Sequence, residues 1–144
     1  MTGVFEVGSV EETWAVARRL AGELKPGDVV CLEGDLGAGK TTFTQGLAAA
    51  LGVAGRVTSP TFCIVQEHRA ADAEGRFLVH MDLYRLRDET DVLAVGWEDY
   101  LSEGAILVVE WPERAGSLIP PTARRVRITH SATADNVRRI DMNP

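Results

Sequence analysis

Apolar residues along this 144-residue chain gather in short runs, and amphipathic stretches separate the runs. Residues 28–33 and 105–110 are almost wholly apolar, as expected of strands buried on both faces of a sheet. Other runs are bounded by turn-forming residues and are also typical of strands. The predicted strands span residues 28–33, 62–67, 76–82, 105–110, 126–129 and 137–142.

Helical spacing of apolar residues predicts two helices, one before the first of these strands and one after it, and a third, polar helix is predicted between the strands at 76–82 and 105–110. Ser9 followed by Glu12 is typical of a capping box that opens the first helix, which extends to about Leu24. The second and third helices are predicted over residues 39–51 and 88–95. The inward positions predicted for the first helix are Val10, Trp14, Ala17, Leu20, Ala21 and Leu24, and those for the second are Phe43, Leu47, Ala50 and Leu51.

The interleaving of strands and helices indicates an α/β domain with a mostly parallel central sheet, antiparallel edge strands and a few flanking helices. The length suits a single domain, residues 1–144. Because no apolar run approaches the roughly 20 residues of a membrane span and no export signal opens the chain, we expect a cytoplasmic protein. Cys31 and Cys63 lie in apolar runs and are interpreted as core residues.

The formal net charge of −6 argues against a protein that coats nucleic acid through bulk electrostatics. Residues 113–144 are the exception, since they hold six Arg against three acids. This basic segment is compatible with an RNA or an acidic partner, although Arg on an exposed strand face is the commoner explanation. Direct contact with RNA therefore stays open.

Residues 34–41 read G-D-L-G-A-G-K-T and match G-x-x-x-x-G-K-[ST] at every position. The glycines allow the backbone to turn its amides toward phosphate oxygens, and the helix that follows adds its positive end. Lys40 is expected to reach the β- and γ-phosphates, and the Thr41 hydroxyl to bind magnesium. The motif predicts a P-loop NTPase-like domain that binds ATP with Mg²⁺, and no N-K-x-D motif supports guanine.

Two acids, Asp82 and Glu110, stand at the ends of predicted strands, where open α/β sheets build their sites. A phosphate loop needs an acid on a neighbouring strand to hold the metal or its waters, and spacing does not decide between the two. We therefore predict Lys40, Asp82 and Glu110 as catalytic residues. His80 alternates with Asp82 along the same strand, although a lone histidine is more often part of a core. The hydroxyl-rich loop of Thr58, Ser59, Pro60 and Thr61 is predicted to be switch-like.

Four motifs in this order resemble the TsaE family, also called YjeE. They are G-D-L-G-A-G-K-T-T-F at 34–43, S-P-T-F at 59–62, H-M-D-L-Y-R-L at 80–86 and E-W-P-E at 110–113. Members of that family are small bacterial ATPases that take part in making threonylcarbamoyladenosine in tRNA, at the adenosine next to the anticodon. The resemblance extends over nearly the whole chain.

The resemblance implies functions for particular residues. Thr41 and Glu110 would bind magnesium, Asp82 would lie near the γ-phosphate, and Trp111 would pack beside the nucleotide. Near the adenine it places the Thr13 region and either Arg138 or Arg139. The full set expected to bind ATP is Thr13, Gly37, Ala38, Gly39, Lys40, Thr41, Thr42 and Arg138.

The resemblance also implies partners. It suggests a slow ATPase that acts with TsaD and TsaB and resets their threonylcarbamoyl transferase complex between turnovers, with tRNA contacted indirectly or weakly. Two other functions stay open on the residues alone. One is a small-molecule kinase with the same loop, and the other is a regulatory module that binds nucleotide without useful hydrolysis.

Overall fold

The computed structural model describes residues 2–35, 37–53, 64–70, 76–132, 134 and 136–143. The described residues form seven strands, four α-helices and a 3-10 segment. The strands are β1 Gly3–Val7, β2 Val29–Gly34, β3 Val65–Arg69, β4 Phe77–Asp82, β5 Ile106–Glu110, β6 Arg124–His130 and β7 Arg138–Met142. The helices are α1 Val10–Ala21, α2 Lys40–Ala50, α3 Glu89–Ala94 and α4 Trp97–Ser102, and the 3-10 segment is Pro112–Leu118.

The strands form one mixed sheet in the order β1-β7-β6-β2-β5-β4-β3. Its centre, β6-β2-β5-β4, is parallel, whereas β7, β1 and β3 pair antiparallel to their neighbours. The predicted fold class is therefore confirmed. Because parallel strands end at the same edge of a sheet, this topology brings the carboxyl ends of β2, β4 and β5 together.

Helices cover both faces of the sheet, and side chains of alternate strand residues enter the two cores. Val30 and Leu32 of β2 pack in the core that contains α1 and α2. Val29 and Cys31 pack in the core that contains α3 and α4. Cys31 is fully buried, which raises the pKa of its thiol to about 11 and confirms its expected place in a core. Cys63 lies outside the described residues.

Helix α1 begins as its sequence predicts. The amide of Glu12 donates to Ser9 Oγ at 3.1 Å, and the Glu12 carboxylate accepts from the amide of Gly8 at 3.1 Å. Its buried residues are Thr13, Val16, Ala17, Leu20 and Ala21.

Two of the predicted inward positions of α1 are wrong. Val10, the first residue of α1, is 46% exposed, and Trp14 is 38% exposed. Trp14 lies at the edge of the contact between α1 and α2, where its indole N–H donates to the carbonyl of Thr42 at 3.1 Å. Leu24 lies beyond the end of α1 and packs, partly buried, against the same core.

The sequence patterns missed β1, α4 and the 3-10 segment. They also placed some element ends a few residues away from those observed, as with α1, which ends at Ala21. Within the described residues, no helix has both the length and the hydropathy of a membrane span.

Candidate functional site

A cleft of about 1020 Å³ opens where α2 begins, beside the carboxyl ends of the parallel strands. It brings together most of the residues that the sequence singles out. The strand ends contribute Asp82 and Glu110 to its lining. The phosphate loop and the start of α2 contribute Gly34, Asp35, Gly37, Gly39, Lys40, Thr41 and Thr42. The predicted catalytic residues therefore share one cavity.

The loop before α2 depends on glycine at two positions. Gly34 has φ +157°, and a Cβ atom there would overlap the carbonyl oxygen of Ile128 in β6. Gly39 has φ +112° and precedes the first residue of α2 without offering a side-chain cap. The first turn of α2 carries no acidic side chain and its N-cap offers no side-chain hydrogen bond, so nothing on the helix itself caps its first amides.

Ala38 contributes to the loop in a different way. Its side chain is fully buried in the core, and its amide donates to the carbonyl of Asp35 at 3.0 Å. Ala38 is therefore not among the residues that line the cleft. Its predicted contact with ATP stays a prediction.

The ammonium of Lys40 lies between two oxygen acceptors. Its Nζ donates to the carbonyl of Gly34 at 2.7 Å and lies 3.3 Å from Oε1 of Glu110. The second carboxylate oxygen of Glu110 lies 2.6 Å from Nε2 of His80. Each oxygen of the Glu110 carboxylate therefore has its own partner.

These contacts set the protonation of Glu110, which is 6% exposed. Burial alone would raise the pKa of its carboxyl, but the hydrogen bond with His80 and the nearby Lys40 ammonium outweigh that effect and hold the pKa below its usual value. Glu110 is therefore an ionised carboxylate at neutral pH. Such a group can bind a divalent cation.

Asp82 lies directly opposite Glu110 on the neighbouring strand, since the two residues are paired in the register of β4 and β5. Its Oδ1 accepts the amide of Tyr84 at 3.0 Å, which orients the carboxylate at the end of β4. Thr41, Asp82 and Glu110 supply a hydroxyl and two carboxylates to the same cleft, and these are oxygen ligands of the kind that magnesium prefers. The residues present fit a magnesium-bound nucleotide.

Two residues predicted near the adenine do not line the cleft. Thr13 is buried in α1, where its hydroxyl donates to the carbonyl of Ser9 at 3.3 Å. Arg138 lies in β7 between Val7 of β1 and His130 of β6. Their contacts with adenine stay predictions. The predicted switch-like loop, Thr58, Ser59, Pro60 and Thr61, lies outside the described residues.

An aromatic pair borders the cleft. Trp111 follows Glu110 with φ +59°, and its ring centroid lies 4.9 Å from that of Tyr84. Both side chains are exposed, at 41% and 57%. The resemblance placed Trp111 beside the nucleotide site, and the structure places it at the rim of this cleft.

The sequence patterns missed other residues of the cleft. Arg127 and Thr129 of β6 line it, as do Tyr84 and Arg85 after β4. Arg127 also lies 3.4 Å from the carboxylate of Glu33. Alternate residues of a strand lie on the same face, so the sequence could have indicated that Arg127 and Thr129 share a face of β6. Only the strand order places that face beside the phosphate loop.

Known proteins similar to this chain belong to one family. The family model described as "Threonylcarbamoyl adenosine biosynthesis protein TsaE" matches residues 7–140. The TsaE protein of Bacillus subtilis is 42% identical over 130 residues, which cover 90% of this chain and 78% of that protein. The TsaE protein of Streptomyces coelicolor is 43% identical over 127 residues, which cover 87% and 85%.

A solved structure agrees. The crystal structure of YdiB from Bacillus subtilis matches with a TM-score of 0.77 and 34% identity, covering 99% of this chain and 84% of that one. The match to the family model and the identities to the curated relatives extend over most of the chain. The chain therefore belongs to the TsaE family of tRNA threonylcarbamoyladenosine biosynthesis proteins.

Proposed function

We propose that this chain is an ATPase that binds ATP with Mg²⁺ in the cleft and serves threonylcarbamoyladenosine modification of tRNA. The observation that carries the proposal is the convergence of a phosphate loop, Lys40, Thr41 and Glu110 on one cavity at the start of a helix. Family membership supports the pathway, since the relatives are named for tRNA threonylcarbamoyladenosine biosynthesis.

Each residue has a separate function in this proposal. The loop amides from Gly37 to Thr42 and the positive end of α2 would hold the phosphates, and Lys40 would move its ammonium from Glu110 toward them. Thr41 and Glu110 would hold the magnesium ion, with Asp82 beside them toward the γ-phosphate. Magnesium would neutralise charge on the phosphate oxygens during hydrolysis.

We further propose that hydrolysis is slow in the isolated chain and that TsaD and TsaB accelerate it, so that ATP turnover resets their transferase complex. The resemblance suggests these partners, and the open cleft with its exposed aromatic rim is compatible with a partner that completes the site. On this proposal, tRNA is contacted indirectly or weakly.

The experiment that tests the proposal measures ATP binding by calorimetry and phosphate release with and without TsaD and TsaB. We expect ATP to bind with magnesium and GTP to bind more weakly, and we expect phosphate release to rise when both partners are added. A chain that binds no ATP would contradict the proposal. Transfer of phosphate to a nucleoside or small alcohol would favour a kinase instead.

A further inference from the structure

His80 is a buried polar residue that the proposed function does not yet use. It lies in β4 with no exposed surface, and its Nε2 lies 2.6 Å from Oε2 of Glu110. Its neighbours on the same face of the sheet, Leu78 and Val108, are apolar core residues. An imidazole among apolar core residues is unusual, and its contact with Glu110 is the feature that explains it.

The other ring nitrogen of His80 makes the burial of this side chain unfavourable. Nδ1 of His80 has no hydrogen-bond partner among the described residues, although it is buried. Burial of an unsatisfied polar atom costs free energy that an apolar side chain of similar size would avoid. The contact with Glu110 is the interaction that offsets this cost.

That contact becomes more important when nucleotide binds. Glu110 is buried and has two partners, Lys40 on Oε1 and His80 on Oε2. On the proposed function, Lys40 turns to the phosphates, which leaves His80 as the remaining described partner of the carboxylate. A buried carboxylate that loses its hydrogen bonds is no longer held in one orientation.

We propose that His80 is a positioning residue that keeps the Glu110 carboxylate directed toward the magnesium ion of bound ATP. The inference rests on the proposed function and extends it to a residue behind the cleft. His80 does not line the cleft, so it acts through Glu110 and not on the nucleotide. Groups that hydrogen-bond to metal ligands orient those ligands, and their loss weakens metal binding or activity about 10- to 100-fold.

The geometry of the contact allows a sharp test with two amide variants. A glutamine amide nitrogen reaches about as far from the backbone as Nε2 of histidine, whereas an asparagine amide reaches only as far as Nδ1. His80→Gln should therefore keep the hydrogen bond to Glu110, and His80→Asn should lose it. The measurement is the Mg²⁺ concentration that half-saturates the complex with a fluorescent ATP analogue, together with analogue binding in EDTA.

We expect His80→Asn to raise the half-saturating Mg²⁺ concentration about 10- to 100-fold while analogue binding in EDTA stays unchanged. His80→Gln should lie close to the wild type. His68→Asn is the matched control, because His68 is also a buried histidine on the same sheet face and makes no described hydrogen bond to Glu110. It should leave the half-saturating Mg²⁺ concentration unchanged.

His80→Leu keeps the test valid if His80→Asn fails to fold. Leucine matches the apolar neighbours of His80 and removes its unpaired ring nitrogen, so this variant should fold and still need more Mg²⁺. Equal half-saturating Mg²⁺ concentrations in all folded variants, with normal wild-type nucleotide binding, would overturn this inference alone. Absence of nucleotide binding in the wild-type chain would overturn the proposed function, and this inference with it.

Discussion

At the scale of single residues, Lys40 offers the most direct test of the cleft. Its ammonium lies within reach of Gly34 and Glu110 and would exchange these acceptors for phosphate oxygens. Lys40→Ala should weaken ATP binding about 10- to 100-fold, because a charged hydrogen bond contributes roughly 1.5–3 kcal/mol. Calorimetric titration with ATP and Mg²⁺ measures the change.

The control for this substitution is Lys25→Ala. Lys25 is the other lysine of the chain, and it is exposed just before β2, away from the residues that line the cleft. It should leave ATP affinity unchanged. Equal ATP affinity in Lys40→Ala and in the wild type would contradict a phosphate-binding function for Lys40.

The carboxyl of Glu110 should make the stability of the folded chain depend on pH. The pKa of its carboxyl is lower in the folded chain than the roughly 4.3 of an unfolded glutamate, so the unfolded chain binds this proton first as pH falls. Its contribution to stability is therefore present above about pH 4.3 and is lost as pH falls through the folded pKa. The free energy of unfolding, measured with urea at several pH values, should fall less steeply from neutral to acidic pH in Glu110→Gln than in the wild type.

Glu113→Gln serves as the comparison, since Glu113 is an exposed carboxyl just after the same strand. Its pH profile should follow the wild type. Parallel profiles for Glu110→Gln and the wild type would mean that the partners of Glu110 do not stabilise its ionised form.

At the scale of elements, the packing of α1 against α2 depends on Gly46. A Cβ atom there would lie 2.9 Å from Ala17 Cβ and 3.1 Å from Trp14 Cα. Neither atom belongs to a flexible side-chain end, so Gly46→Ala should lower the free energy of unfolding by about 1–3 kcal/mol, although alanine normally favours a helix. Urea unfolding measures the loss.

Gly22→Ala is the matched substitution, because Gly22 has φ −64° and the nearest atom to a Cβ there lies 3.5 Å away. It should be neutral or stabilise the chain by up to about 1 kcal/mol. A Gly46→Ala variant as stable as Gly22→Ala would mean that the two helices can separate without cost.

The elements that sequence patterns predicted are those with local signals. The loop and α2 were predicted because glycines, Lys40 and an amphipathic helix occur in one short stretch. β1 was missed because its strand character depends on pairing with β7, which lies far away in sequence. Trp14 was misassigned because periodicity gives the apolar side of a helix but not the position of the neighbouring helix.

Two acids of the candidate site could be predicted because they stand at the ends of apolar strands. Asp82 and Glu110 end adjacent parallel strands, as the general rule for α/β sheets implies. The contact of His80 with Glu110 and the position of Arg127 in the cleft could not be predicted. Both depend on which strands are neighbours, and the order of strands in the sheet is set by tertiary packing.

At the scale of the whole molecule, ligand binding should raise thermal stability. A ligand at 100 times its dissociation constant stabilises the folded state by about 2.7 kcal/mol, which corresponds to roughly 5–10 °C in the Tm of a domain of this size. ATP with Mg²⁺ should therefore raise the Tm of the wild type in differential scanning calorimetry.

EDTA should make the rise in Tm caused by ATP smaller in the wild type, because it removes the metal. The rise should be smaller still in Lys40→Ala with EDTA, because this variant also lacks the ammonium that would bind the phosphates. An equal shift in the wild type and in Lys40→Ala would show that the nucleotide binds elsewhere on the molecule.

The place of β1 at the edge of the sheet has a kinetic consequence. Gly3 is paired with Met142, near the opposite end of the described chain. Pairs so distant in sequence form slowly, since a long loop must close before any contact compensates for its entropy. We expect β1 to join the sheet late in folding, after the parallel strands that carry the cleft have assembled.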